Sequence, residues 1–224
     1  MSSYNLVNYF GKDYKIYYPL GIEEAVINAI KAGRIWEKKL LVQYSKFIDK
    51  NDVVLDIGGY LGTHTLAFAH LVGSRGKVHT FEPQISMYKL LTKTIKESKY
   101  KNVKLYNKAV YSKKDIVEFF DTETGKASIK HIRPRLKGKV INIDAITIDS
   151  LNLRRVDLIK IDVEKGEWHV LEGAHRTLLK HKPIIFIETF KTKNNLLKLD
   201  KFCSTYKYNQ KNIGGADFIL FPVS

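Results

Sequence analysis

The chain has 224 residues, 44% of them hydrophobic, which suffices for one full core; a single domain over residues 1–224 is expected, with 1–50 a helical cover and 51–224 the core. It contains no apolar run of about 18 residues, and Met1-Ser2-Ser3-Tyr4-Asn5 lacks the basic-then-apolar build of a signal peptide, so a soluble, cytoplasmic protein with no membrane partner is expected. The net charge of +15 raises nucleic acid as a partner, yet only seven of the 38 basic residues are Arg and the lysines are scattered, which favours solvated charge over a dedicated phosphate-binding face.

Residues 1–21 carry Tyr9, Phe10, Tyr14, Ile16, Tyr17 and Tyr18 around Gly11 and Pro19, which suits a short strand or lid before the core. Ile22, Val26, Ala29 and Ile30, then Leu40, Leu41, Tyr44, Phe47 and Ile48, recur at helical spacing and predict two amphipathic helices, with Gly33 interrupting.

Val53 to Phe68 reads as strand, glycine-rich turn and helix. Glycines allow positive φ and close backbone approach, and the helix start directs unpaired N–H groups outward, so a nucleotide-like ligand is expected there. A dinucleotide fingerprint ending at Gly62 needs glycine at 57, which is Ile. The remaining pattern, Asp56-x-Gly58-x-x-x-Gly62, resembles the turn of methyltransferases that bind S-adenosylmethionine in a Rossmann-like sheet. Twenty residues later Glu82 closes a second apolar run, where a ribose-binding carboxylate belongs.

Pro83 and Ser86 open a helix whose Met87, Leu90, Leu91, Thr94 and Ile95 form a buried stripe. Val103–Val110 and Ile116–Phe120 are predicted strands, so strands and helices alternate and a mostly parallel sheet with helices on both faces follows. Residues 121–139 break the rhythm, and Lys126 to Lys139 holds six basic residues and no acid, which suits either a basic flap over a substrate or a solvated connection. Val140–Ile148 and Val156–Asp162 are further strands, the second followed by Glu164 and Glu167; acids at the carboxyl end of a central strand stand where open α/β sheets place ligand chemistry. A helix, the strand Pro183–Glu188, another helix and an antiparallel hairpin through Gly214-Gly215 complete a seven-stranded sheet. Cys203, the single cysteine, forms no internal disulfide and is given no role.

With these pieces in order, residues 37–221 resemble the FkbM family of S-adenosylmethionine-dependent methyltransferases. The resemblance rests on Asp56 to Thr65, Phe81-Glu82-Pro83, Asn107-Lys108-Ala109-Val110, Ile148 to Leu151, and above all Val156 to Glu164 continuing to Glu167 and Leu171-Glu172-Gly173-Ala174. It implies a class I methyltransferase fold and S-adenosylmethionine held by Asp56, Gly58, Gly59, Tyr60, Gly62, Glu82, Pro83, Asn107 and Ala109. Two departures stand out: Tyr60 replaces the family's Asn, and Lys165 stands where the family has Gly, with Gly166 one place later.

For a hydroxyl acceptor a base is needed beside the transferred methyl, and Asp162 is the first candidate, with Glu164 and His64 behind it. Crowding of Asp162, Glu164 and Glu167 is expected to raise at least one of their pKa values. Ser128, Lys130 and Glu188 are candidate acceptor contacts. Glu188 lies 26 positions after Asp162, close to a metal-binding arrangement, but Thr189 follows where a second oxygen-rich ligand is usual, so no metal is expected. The leading reading is O-methylation of a sugar, glycan or other small molecule; an RNA-directed enzyme using the positive charge and a noncatalytic cofactor-binding scaffold are the alternatives. The sequence sets no oligomeric state.

Overall fold

The computed structural model describes residues 1–122 and 124–223. The chain begins with two antiparallel strands, β1 (Ser2–Tyr9) and β2 (Lys12–Pro19). Phe10 and Gly11 both take positive φ, 52° and 81°, the turn geometry that matches strand twist in a two-residue hairpin. The expected helical cover over residues 1–50 is therefore only partly helical. Val7 and Tyr9, then Tyr14, Ile16 and Tyr18, are buried at every second position, and that period builds a hairpin. Two seven-residue helices follow, α1 (Ala25–Lys31) and α2 (Lys38–Tyr44).

The core continues as β3 (Val53–Ile57), α3 (Thr63–Val72), β4 (Lys77–Phe81), α4 (Ile85–Ser98) and β5 (Val103–Tyr106). Next come β6 (Ala109–Val110), β7 (Asp115–Asp121), β8 (Ser128–Ile129) and β9 (Lys139–Ile146). A short 3-10 turn at Ile148–Leu151 leads to β10 (Leu158–Ile161), α5 (Glu167–Glu172) and α6 (His175–His181). The last elements are β11 (Ile184–Glu188), α7 (Lys193–Tyr206), β12 (Tyr208–Gly214) and β13 (Asp217–Pro222).

Seven strands form the main sheet in the order β12-β13-β11-β10-β3-β4-β5. The five from β11 to β5 run parallel, and β12 and β13 close the edge as an antiparallel hairpin. One hydrophobic cluster, with Leu66, Phe68 and Leu91, packs on one face, and a second, with Val170, Leu178 and Phe202, on the other. Strand order runs outward from β3 through β4 to β5 and then returns to β10 on the other side of β3. The carboxyl ends of β3 and β10 therefore flank the switch point where open sheets hold ligands.

The strand expected at Val103–Val110 is split, because Asn107 anchors its side chain on the carbonyls of Glu82 and Pro83 and turns the chain away. β6 leaves the main sheet and joins a separate four-stranded sheet, β6-β9-β7-β8, which recruits the strands expected near Ile116 and Val140. This small sheet has its own core of Val117, Phe119, Ile129, Ile143 and Ala145. The basic stretch 121–139 is thus not entirely loop: β8 pairs with β7 through Phe119 and Phe120. Among the described residues no helix is long and apolar enough to cross a membrane.

Candidate active site

A cavity of about 330 Å³ opens at the switch point, bounded by the ends of β3, β4, β10 and β11, by residues 24–26 and 36–37, and by residues 125–129 and 132. Its floor is the glycine turn. Gly58 has φ +90°, and a Cβ there would lie 1.9 Å from the Asp162 carbonyl oxygen; one on Gly59 would lie 2.2 Å from Thr80 Cγ2. Neither position can carry a side chain, so the backbone itself forms the surface. Gly62 (φ +88°) packs against Leu91 as α3 begins and does not reach the cavity.

Glu82, 4% exposed, is fixed by two backbone donors: Tyr60 N–H to Oε2 and Gln84 N–H to Oε1, both 2.8 Å. A carboxylate has about four acceptor positions, so lone pairs remain on the cavity side. Burial pushes the Glu82 carboxyl up to about 7. Pro83 and Ala109 line the same wall. Asn107 does not: its amide holds the Glu82 segment from behind. Asp56 also lies outside the wall, fully buried under the turn, accepting from Thr65 Oγ1 at 2.6 Å.

Lys160 is the residue that sequence reading missed. It interrupts an otherwise apolar buried strand at 4% exposure, and a charge in such a run signals a buried partner. Its Nζ donates to the Gly58 carbonyl at 2.7 Å and lies 3.6 Å from Asp56 Oδ1 and 3.3 Å from Asp162 Oδ2. Burial works against its charge, but the Asp162 and Asp56 carboxylates overcome that and raise its pKa.

Asp162 keeps 39% of its side chain open to the cavity. Burial pushes its carboxyl upward, yet Lys160 and a hydrogen bond with Glu188 outweigh it and hold Asp162 below the usual range. The crowding falls instead on its neighbours: burial and Asp162 push Glu188 up to about 8, and burial pushes Glu167 up to about 7. Glu167 is spent locally, accepting the Lys165 N–H at 2.9 Å. His64 lines the cavity, but burial first and Lys160 second push its imidazole down to about 3, so it is neutral and a weak base.

The basic stretch folds over this cavity as a fastened flap. Arg133 Nη1 donates to Glu164 Oε2 at 2.8 Å, Ser128 Oγ to the Glu164 carbonyl at 3.0 Å, and the Gly125 N–H to both oxygens of Glu24 at 3.1 Å. Glu24 also accepts the Tyr60 hydroxyl at 2.6 Å, which joins the N-terminal segment, the glycine turn and the flap. Burial and Asp162 raise the Glu164 carboxyl, and Arg133 opposes them. Of the expected acceptor contacts, Ser128 and Glu188 line the cavity, whereas Lys130 is drawn off it by its pairing with Glu118 at 2.9 Å.

The model of the methyltransferase FkbM domain matches residues 56–209, which takes in the glycine turn, Glu82 and the Asp162 loop. The chain belongs to the FkbM methyltransferase family. With that membership comes S-adenosylmethionine as cofactor. No curated protein matches the chain. Among solved structures, FkbM methyltransferase from Methylobacillus flagellatus aligns with a TM-score of 0.58 at 17% identity, covering 77% of this chain. The present chain spans only 44% of that protein's length. An S-adenosylmethionine-dependent O-methyltransferase from Thermotoga maritima aligns at 0.54 and 14% identity, over 98% of this chain and 78% of that one. A 16S rRNA N2 G1207 methyltransferase from T. thermophilus aligns at 0.57 and 13% identity, over 100% of this chain and 51% of that one. At such identities they establish the shared class I methyltransferase fold.

Both departures from the family pattern have structural consequences in this FkbM member. Tyr60 adopts φ 46° and sends its hydroxyl to Glu24. Lys165 takes φ 80° directly after Glu164 at 56°, two left-handed non-glycine residues in succession where the family places glycine.

Proposed function

We propose that the protein is an S-adenosylmethionine-dependent O-methyltransferase acting on a hydroxyl of a sugar, glycan or other small molecule. The observation that carries this reading is the ionised, part-open carboxylate of Asp162, whose backbone carbonyl touches the glycine turn while its side chain faces the cavity. The chain's residues suit the cofactor. Gly58 and Gly59 leave the backbone bare, Glu82 has acceptor capacity for ribose hydroxyls, and Pro83 and Ala109 supply apolar wall. When bound, S-adenosylmethionine supplies an electrophilic methyl group.

The protein's own tasks are alignment and proton handling. Asp162 accepts the hydrogen bond of the acceptor hydroxyl and orients its oxygen; held below the usual carboxylate range it is a weak base, and it takes the proton late, when alkylation has made that oxygen strongly acidic. Lys160, donating to the Gly58 carbonyl and facing Asp162, fixes that carboxylate relative to the turn and keeps it ionised. Glu188, near neutral beside it, leaves Asp162 as the open acceptor of the pair. The flap residues Ser128 and Arg133 hold the loop at Glu164 and limit water. Carboxylates at this end of the cavity disfavour a phosphate next to the methylated atom, which weighs against an RNA acceptor.

The test is methyl transfer from labelled S-adenosylmethionine to a panel of nucleotide sugars, oligosaccharides and RNA. Label in a sugar fraction, lost with Asp162→Asn, supports the reading; label confined to RNA overturns it.

A further inference from the structure

We propose that Glu24 is a positioning residue for the cofactor: it straps the flap to the glycine turn, so that the flap closes over S-adenosylmethionine and the strap sets how fast the cofactor leaves. This rests on the cofactor and not on the identity of the acceptor. Glu24 immediately precedes α1, yet its side chain makes no capping bond to its own helix. Its carboxylate reaches away instead, accepting the Tyr60 hydroxyl at 2.6 Å and the Gly125 N–H at 3.1 Å on both oxygens. The contact with Tyr60 is short, as hydrogen bonds from a hydroxyl to a carboxylate are.

The flap is one wall of the cofactor cavity. Ala127, Ser128 and Ile129 are buried, and they line the cavity together with Gly125, Lys126 and Ile132. A cofactor seated on the glycine turn therefore lies against the inner face of the flap. Only two residue pairs join β8 to β7, Phe119 with Ile129 and Phe120 with Ser128, so side-chain ties carry much of the closed position.

On the cofactor side those ties run through the residues that aim Glu82. The N–H groups of Tyr60 and Gln84 each hold the Glu82 carboxylate at 2.8 Å. The side chains of the same two residues fasten the flap: Tyr60 through Glu24, and Gln84 by donating its Nε2 to the Thr124 carbonyl at 2.7 Å. The aim of Glu82 and the closure of the flap thus belong to one hydrogen-bonded unit. A ribose held by Glu82 favours the closed flap, and by reciprocity the closed flap tightens the hold on the ribose. The remaining ties, Arg133 and Ser128 to Glu164, lie on the acceptor side.

The strap accounts for Tyr60, which stands where the family has Asn. Asn tolerates a left-handed backbone, whereas a bulky residue adopts one at a cost. At φ 46° Tyr60 carries that strain and supplies the phenol that meets Glu24. Burial first and Glu24 second push the Tyr60 hydroxyl upward, so it keeps its proton and remains a donor. Glu24 also lines the cavity, where a cofactor amino group would suit it; the strap differs from that direct contact in making flap and cofactor move together.

A stopped-flow chase of S-adenosylhomocysteine, with tryptic cleavage of the flap at Lys126, Lys130 or Arg135 in its presence and absence, tests the strap. In the wild type S-adenosylhomocysteine is expected to slow that cleavage at least about fivefold. Glu24→Ala is expected to release it about tenfold faster, with association changed less than about threefold, and to lose the protection of the flap. Tyr60→Phe, which deletes one oxygen and serves should Glu24→Ala not fold, is expected to release it about threefold faster. Glu24→Gln keeps an acceptor oxygen and is expected to fall between Glu24→Ala and wild type. Release within about twofold of wild type in both Glu24→Ala and Tyr60→Phe overturns the proposal. Faster release in Glu24→Ala with flap protection intact also overturns it, making Glu24 a direct cofactor contact, as does wild-type cleavage at the same rate with and without S-adenosylhomocysteine.

Discussion

Replacing Lys160 with Met removes the buried cation that joins β3 to β10 while keeping similar volume. The wild-type side chain is 5% exposed and faces Asp56 Oδ1 at 3.6 Å and Asp162 Oδ2 at 3.3 Å. Removing one partner of a buried ion pair typically costs about 3–5 kcal/mol. Asp162 is part-open to solvent, which screens its share, and Asp56 can relieve its own penalty by taking a proton, so about 3 kcal/mol is expected at pH 8. For a chain of this size that is a drop of about 6–12 °C in the unfolding midpoint. The pH dependence has a definite sign. Burial already raises Asp56, and losing Lys160 raises it further. A carboxyl whose folded pKa is raised contributes stability at low pH that is lost as pH rises, so the penalty should shrink at pH 5.5. Thermal and urea unfolding followed by circular dichroism at both pH values measure this. A midpoint loss under about 2 °C at pH 8, or a penalty that grows on acidification, would refute the ion-pair argument.

Without ligand, the wild-type protein should lose stability as pH rises from 6.5 to 8, because Glu37, Glu82 and Glu167 sit at about 7 and Glu188 at about 8, above their unfolded values. The depressed His64 and His79 oppose this, since their unfolded imidazoles are about half protonated at pH 6.5 and lose that proton by pH 8, but two such groups give less than the four raised acids take away, so a flat or rising midpoint there contradicts the burial of these acids. Glu82→Ala is expected to weaken S-adenosylhomocysteine binding at least about tenfold, since each charge-assisted bond is worth roughly 1.5–3 kcal/mol; unchanged affinity by calorimetry removes Glu82 from the ribose site. Asp162→Asn should lower kcat by roughly 10²-fold or more with cofactor affinity nearly constant, and turnover within about twofold of wild type would reduce Asp162 to an alignment residue. Lys165→Gly should raise stability by about 1 kcal/mol by relieving the left-handed φ of 80°, and a destabilised variant would mean that the Lys165 side chain makes a compensating contact.

Much of the scaffold is legible along the chain because local chemistry decides it. The Asp56–Gly62 turn, the apolar runs ending in Glu82 and Asp162 and the stripe on α4 each carry their own period and punctuation, and they order five parallel strands around one switch point. What the sequence leaves open depends on residues far apart in it. Asp56 and Asn107 belong to the family pattern, yet folding turns them inward as supports, and Lys130 looks like a substrate contact until Glu118 claims it. Lys160 gains meaning only when β10 lies beside β3 and brings Asp56 and the Gly58 carbonyl within reach. The pKa ordering is likewise tertiary: Lys160 lies against Asp162 and not against Glu188, so one carboxyl stays ionised while its neighbour holds a proton. Spacing along a chain fixes which groups can reach a strand end, but burial and the distance to a single buried cation decide their charge.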